Sequence, residues 1–173
     1  MTETTARTLV LSRHAKAEPS AASDHERELS AQGHRDAAAV GHWLAAAGHS
    51  FGAVVCSTST RTRQTWSDIH ASGVAAEKVR FDERLYDGDP GTLLEVLAEI
   101  PERVRNLLVV GHAPTIPELA DLLADPEASD KAAVTALRSS FPSGCVAVLT
   151  VEEPWAELAP GSATLIEVTT PRA

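Results

Sequence analysis

Arginine and histidine residues follow three separate apolar runs of this sequence. Arg13 and His14 come directly after the first run, Arg61 opens a helical pattern just beyond the second, and His112 follows a later run. In open α/β sheets ligands bind outside the carboxyl ends of the strands, so we expect these side chains to meet at one edge. Guanidinium groups can hold phosphate oxygens bidentately, and a helix N-terminus at Arg61 would also favour an anion. The spacing therefore predicts a phosphate site.

This cationic set lies in an acidic chain. The sequence has 15 Lys and Arg against 24 Asp and Glu, a net charge of −9. Such a surface repels nucleic acid and anionic membranes, and no basic stripe offsets it, so we expect neither as a partner. No apolar run approaches the roughly 20 residues of a membrane span, and the N-terminus lacks a secretory apolar region. We expect a cytoplasmic protein.

Short apolar runs alternate with helical patterns along the chain, which is typical of βαβ units around a mostly parallel sheet. Ser30 is a good N-cap for the first long helix, and Gly48 is its stop. The predicted strands are 8–12, 53–56, 79–81, 107–110, 146–151 and 164–168, and the predicted helices 30–47, 61–71, 92–100, 117–124 and 131–138. The last two strands should form a hairpin at one edge. We predict an α/β fold, a three-layer α/β/α sandwich in a single domain over 1–173, with a flexible start at 1–6.

Other conspicuous residues are expected to be structural. Cys56 and Cys145 lie in apolar runs, outside any disulfide or CxxC pattern, and should be buried thiols. A cysteine phosphatase loop, C-x₅-R, is excluded because the arginine falls one residue short, at Arg61. The three histidines of the first helical pattern lack partner ligands at metal-binding spacing, so we expect no metal and no cofactor. Trp155 is interpreted as a surface packing anchor.

Four short motifs carry a family resemblance: LSRHAKA at 11–17, D-x-x-R-x-L-S-x-x-G at 24–33, S-x-x-x-R-x-x-Q-T at 57–65 and V-G-H-x-P at 110–114. Together they resemble the histidine phosphatase (phosphoglycerate mutase-like) superfamily. The second motif further resembles the short phosphohistidine phosphatase branch, the SixA type. The motifs occur in family order and span well over half of the chain. The resemblance implies a phosphoglycerate mutase-like fold.

The resemblance also implies a mechanism. His14 would be the nucleophile and form a phosphohistidine that water later hydrolyses. An imidazole attacks only when neutral, and the neighbouring Arg13 and Arg61 should lower the pKa of His14 in the empty site. Arg13, Arg61 and His112 would hold the phosphate oxygens and stabilise the charge that develops in transfer. Arg27, in the D-x-x-R segment, would add a fourth contact.

The leaving group needs a proton, so an acid should lie nearby. The family places an acidic residue in the segment after the Arg61 motif, which makes Glu83 the first candidate and Asp87 the second. The alternative for Glu83 is a solvated loop glutamate paired with Arg84. Such a donor matters less if the substrate is a phosphohistidine, because imidazole is a fair leaving group.

The predicted function is that of a metal-independent phosphatase, with a phosphohistidine on a protein or a small phosphate monoester as substrate. Little sequence is left between the motifs to build a lid, so we expect an open site, which suits a protruding protein side chain. A phosphoglycerate mutase-type phosphotransferase would need extra loops over the site. A module that binds phosphate or a phosphoprotein without turnover would not need His14. We expect a monomer.

Overall fold

The computed structural model describes residues 6–173, and the predicted α/β fold is confirmed. The flexible start predicted at 1–6 lies outside the described residues except for Ala6, which is exposed. The strands are β1 (Arg7–Arg13), β2 (Ala53–Ser57), β3 (Val79–Asp82), β4 (Asn106–Gly111), β5 (Val146–Val151) and β6 (Ala163–Thr169). The helices are α1 (Ala31–Ala46), α2 (Thr60–Ala71), α3 (Arg84–Asp87), α4 (Pro90–Ala98), α5 (Thr115–Leu123) and α6 (Lys131–Ser139). Every predicted strand and helix is present.

The six strands form one sheet in the order β3-β2-β4-β1-β5-β6. The first four strands in this order run parallel to one another. Strand β5 runs antiparallel to its neighbours β1 and β6, so the predicted hairpin of the last two strands is present at one edge. Along β1, Leu9 and Leu11 pack into one hydrophobic cluster and Val10 packs into the cluster on the other face. Both faces are covered, which explains why the strands read as continuous apolar runs. The carboxyl ends of β1, β2 and β4 consequently lie side by side at one edge.

The helix ends follow local capping chemistry. Ser30 Oγ accepts the backbone N–H of Gly33 at 3.0 Å and begins α1 as predicted. Helix α4 begins at Pro90, two residues before the predicted start, because Asp89 caps it by accepting the N–H of Thr92 at 2.8 Å. Helix α3 is not among the predicted helices, since four residues are too few to show a helical period.

The prediction for Trp155 is wrong. Its side chain is fully buried, and its indole N–H donates to the carbonyl of Val104 at 2.8 Å. Cys56 and Cys145 are buried free thiols, as expected. Burial raises the pKa of the Cys56 thiol to about 12, which makes it a poor nucleophile. No helix within residues 6–173 combines the length and the apolar character that crossing a membrane requires.

Candidate active site

A cavity of about 390 Å³ opens at the carboxyl edge of the sheet, and five predicted site residues line it. Arg13 and His14 stand at the end of β1, Arg61 is the second residue of α2, and His112 directly follows β4. Arg27 reaches the cavity from the segment between β1 and α1. The strand ends therefore deliver the cationic side chains to one place, as the spacing predicted.

His14 has the geometry and protonation state of a nucleophile. Its ring is 8% exposed, and Nδ1 lies 2.7 Å from the carbonyl oxygen of Ala15. Burial lowers the pKa of His14 to about 4, with smaller contributions from Arg61, Arg13 and Arg27, against the hydrogen bond to Ala15. A neutral imidazole that donates from Nδ1 carries its lone pair on Nε2. The downward pKa shift was predicted, although burial rather than the arginines is its main cause.

His112 stands beside His14, with the two ring centroids 5.3 Å apart. Its Nε2 lies 2.8 Å from the hydroxyl oxygen of Ser57. Burial first, then His14 and Arg61, lower the pKa of His112 to about 3, so this ring is also neutral. If the Ser57 hydroxyl donates to Nε2, the ring proton of His112 is on Nδ1 and is available to a ligand oxygen. Ser57 is the first residue of the S-x-x-x-R-x-x-Q-T motif, and its contact with His112 could not be predicted from that motif.

Arg13 and Arg61 each have a guanidinium nitrogen that makes no hydrogen bond to the described residues. Among the described residues, the buried Nε atoms of Arg13 and Arg61 have no hydrogen-bond partner. Arg13 donates from Nη1 to the carbonyl of Phe141 at 3.0 Å. Arg61 donates from Nη1 to the carbonyl of Asp24 at 2.7 Å and from Nη2 to its carboxylate at 3.1 Å. Unpartnered buried guanidinium donors are costly unless an anion accepts from them.

Asp24 is a site residue that the sequence analysis missed. Its carboxylate accepts from Tyr86 Oη at 2.5 Å, from Arg27 Nη1 at 3.0 Å and from Arg61 Nη2 at 3.1 Å. The hydrogen bond from Tyr86, followed by those from the arginines, holds the pKa of Asp24 well below its usual range. The D-x-x-R motif contained the signal, but only its arginine was considered. The cavity thus carries the ionised carboxylate of Asp24 beside its cations.

The motif around Arg61 spans the end of β2 and the first half of α2, and it contacts three other segments of the site. Ser57 bonds the ring of His112, and Gln64 Oε1 accepts the backbone N–H of Leu29 at 2.7 Å. Thr65 Oγ1 accepts the backbone N–H of Ala15, directly after His14, at 3.0 Å. The spacing of this motif is explained by these contacts, because each polar position anchors a different loop.

The two candidates for the proton donor differ in position. Asp87 lines the cavity, whereas Glu83 is exposed at the N-terminal end of α3 and is not among the lining residues. Arg84 pairs with Asp82 and Glu99, both at 2.7 Å, rather than with Glu83. Of the two candidates, Asp87 is the one that the turn of α3 brings to the cavity.

The potential metal ligands of the chain are dispersed. Within residues 6–173, no group of three or more His, Cys, Asp or Glu side chains is placed to hold a metal ion. His34, on α1, instead pairs with Asp68 of α2 at 2.7 Å.

Comparisons with known proteins agree with this geometry. A model of the histidine phosphatase superfamily (branch 1) matches residues 9–150. An uncharacterized protein of Mycobacterium tuberculosis is 42% identical over 161 residues, which cover 92% of this chain and 99% of that protein. The structure of a protein from Nakamurella multipartitia assigned as a phosphohistidine phosphatase SixA has a TM-score of 0.87 and 41% identity, with 98% of both chains covered. A structure of the protein histidine phosphatase SixA complexed with tungstate has a TM-score of 0.78 over 95% of this chain and 97% of that one, and at 22% identity it shows the fold alone. The chain belongs to the histidine phosphatase superfamily, branch 1.

Proposed function

We propose that this protein is a phosphatase that works through a phosphohistidine on His14. One observation carries the proposal: a buried, neutral His14, with Nδ1 committed to the Ala15 carbonyl, shares a cavity with two arginines whose Nε donors are unpartnered. A nucleophile and an anion-binding set in one place are what phosphoryl transfer needs, since its catalysis is mainly positioning and charge stabilisation.

The reaction has two steps. In the first, Nε2 of His14 attacks phosphorus, the bond to the leaving group breaks, and the leaving group takes a proton from Asp87 or from solvent. In the second, water attacks the phosphohistidine, inorganic phosphate departs, and the imidazole of His14 returns to its neutral form. Arg13, Arg61 and His112 would donate to the phosphoryl oxygens in both steps.

The substrate we favour is a phosphohistidine on a protein, with a small phosphate monoester as the second possibility. The rim of the cavity is exposed at Lys16, Asp24 and Asp87, so a side chain protruding from a partner can enter. The Nakamurella protein, assigned as a phosphohistidine phosphatase, supports this choice. Tungstate, an oxyanion like phosphate, is bound in a related fold, which supports an oxyanion in this cavity.

The test compares the wild-type protein with His14→Asn. Both are incubated with an aryl phosphate in the presence of a chelator, and the His14 peptide is analysed for a phosphoryl adduct after quenching without acid. We expect turnover and an adduct for the wild type and neither for the variant. His42→Asn is the matched control, because His42 is exposed on α1 and does not line the cavity.

The outcomes separate the proposal from its rival. Wild-type binding of inorganic phosphate without turnover and without an adduct from a reactive phosphodonor would favour a phosphate-binding module. Turnover that survives His14→Asn would mean that another group is the nucleophile.

A further inference from the structure

Tyr86 is the only tyrosine of the chain and stands in the wall of the cavity. Its ring centroid lies 5.6 Å from that of His112 and 5.9 Å from the guanidinium carbon of Arg61. Both neighbours belong to the phosphate-binding set, so the tyrosine ring adjoins the place where phosphorus is held. Tyr86 is half-buried, which leaves part of its ring open to the cavity mouth.

The ring is held firmly from several sides. Its hydroxyl donates to the Asp24 carboxylate at 2.5 Å, and His25 packs against it with centroids 4.8 Å apart and an interplanar angle of 80°. Below it, Leu85 is buried and anchors α3 in the core. Gly88 closes the helix by donating its backbone N–H to the carbonyl of Arg84 at 2.8 Å. A surface held in place in this way can bind a ligand without a large ordering cost.

Apart from Arg27, whose guanidinium is planar but pairs with Asp24 at 3.0 Å, the rest of the lining offers no planar side chain. Lys16, Asp24 and Asp87 are charged, and Ala17, Ala113 and Ser143 are small. Once His14 and the arginines hold the phosphoryl group inside, the leaving group must point outwards, past these residues and Tyr86. An aromatic leaving group gains offset or edge-to-face contact with Tyr86, whereas an aliphatic or ammonia leaving group does not.

We propose that Tyr86 is a specificity-determining residue that selects a planar aromatic leaving group, such as the imidazole of a phosphohistidine, and this inference rests on the proposed function. The ring, rather than the hydroxyl, supplies the selectivity. The hydroxyl positions the ring through Asp24.

The test uses two small P–N substrates that differ in the leaving group: phosphoimidazole, which has a ring, and phosphoramidate, which has none. Wild type, Tyr86→Leu and Tyr86→Phe are compared by kcat/KM for each. For Tyr86→Leu we expect a loss of about three- to tenfold with phosphoimidazole, the size of an aromatic pair contact, and a change of less than about twofold with phosphoramidate. Tyr86→Phe keeps the preference for phosphoimidazole. Phe81→Leu is the matched control, because Phe81 is exposed on β3 and lies outside the cavity lining.

Two results would overturn the inference. An equal loss with both substrates would show that Tyr86 acts on the phosphate-binding set and not on the leaving group. Unchanged kinetics of folded Tyr86→Leu, checked by circular dichroism, would show that the ring makes no productive contact. Failure of the proposed function looks different, since wild type would then turn over neither substrate, or His14→Asn would turn over both.

Discussion

Acidification should destabilise this protein steeply because two histidines of the cavity are buried in the neutral form. The pKa of His14 is lowered to about 4 and that of His112 to about 3, whereas both are near 6.5 in the unfolded chain. Between those values the unfolded chain binds more protons than the folded one, so stability is lost as the pH falls through this range. Between pH 7 and pH 5 each imidazole lowers the free energy of unfolding by about 2 kcal/mol, and the two together lower it by about 4 kcal/mol. That is a large part of the roughly 5–15 kcal/mol that holds a typical domain folded.

Urea denaturation followed by tryptophan fluorescence at pH 7 and pH 5 measures this loss. If the free energy of unfolding falls by about 2 kcal/mol per molar of urea, the urea midpoint should be about 2 M lower at pH 5 than at pH 7. His14→Gln removes one of the two cavity rings and should halve the part of the shift that these two rings cause. His42→Gln, a change at an exposed position on α1, should leave the shift as in wild type.

The same urea midpoint for wild type at both pH values would contradict this prediction. The prediction is also refuted if His14→Gln shows the full wild-type shift, because the ring of His14 would then not be the group that titrates.

Three further substitutions test other parts of the site. Ser57→Ala removes the 2.8 Å hydrogen bond that orients His112 and should lower kcat/KM for an aryl phosphate about fivefold, the worth of about 1 kcal/mol, whereas an unchanged value would show that His112 is oriented without it. Asp24→Asn removes the carboxylate that occupies donors of Arg61, and calorimetry should find inorganic phosphate bound about threefold more tightly, since charge repulsion at the anion site is relieved. Weaker binding would instead assign Asp24 to positioning Arg61. Cys56→Ala should retain aryl phosphatase activity, because this thiol is fully buried with a raised pKa, and complete loss in a folded variant would implicate the thiol.

The fold and the cationic half of the site could be predicted because their determinants are local. Buried strands appear as apolar runs, and the predicted strands at 8–12 and 107–110 differ from β1 and β4 by only a residue at each end. A parallel sheet then brings the residues after its strands to one edge, so His14 and His112 meet without any detailed knowledge of the loops.

The acidic and aromatic half of the site depends on contacts between distant residues. Asp24 and Tyr86 are 62 positions apart, and the hydrogen bond between them leaves no periodic trace in either segment. Which of Glu83 and Asp87 lines the cavity depends on α3, a single helical turn that is too short to show a sequence pattern. Trp155 was misplaced for a similar reason, since its partner is the carbonyl of Val104, 51 residues earlier.

The segment from Ser57 to Thr65 should tolerate no change of length. Its anchors to three loops are separated by fixed numbers of residues, and one inserted residue would rotate everything beyond it by about 100° around the axis of α2. Gln64 and Thr65 would then release Leu29 and Ala15 together. Insertions and deletions among relatives should therefore be rare in this stretch.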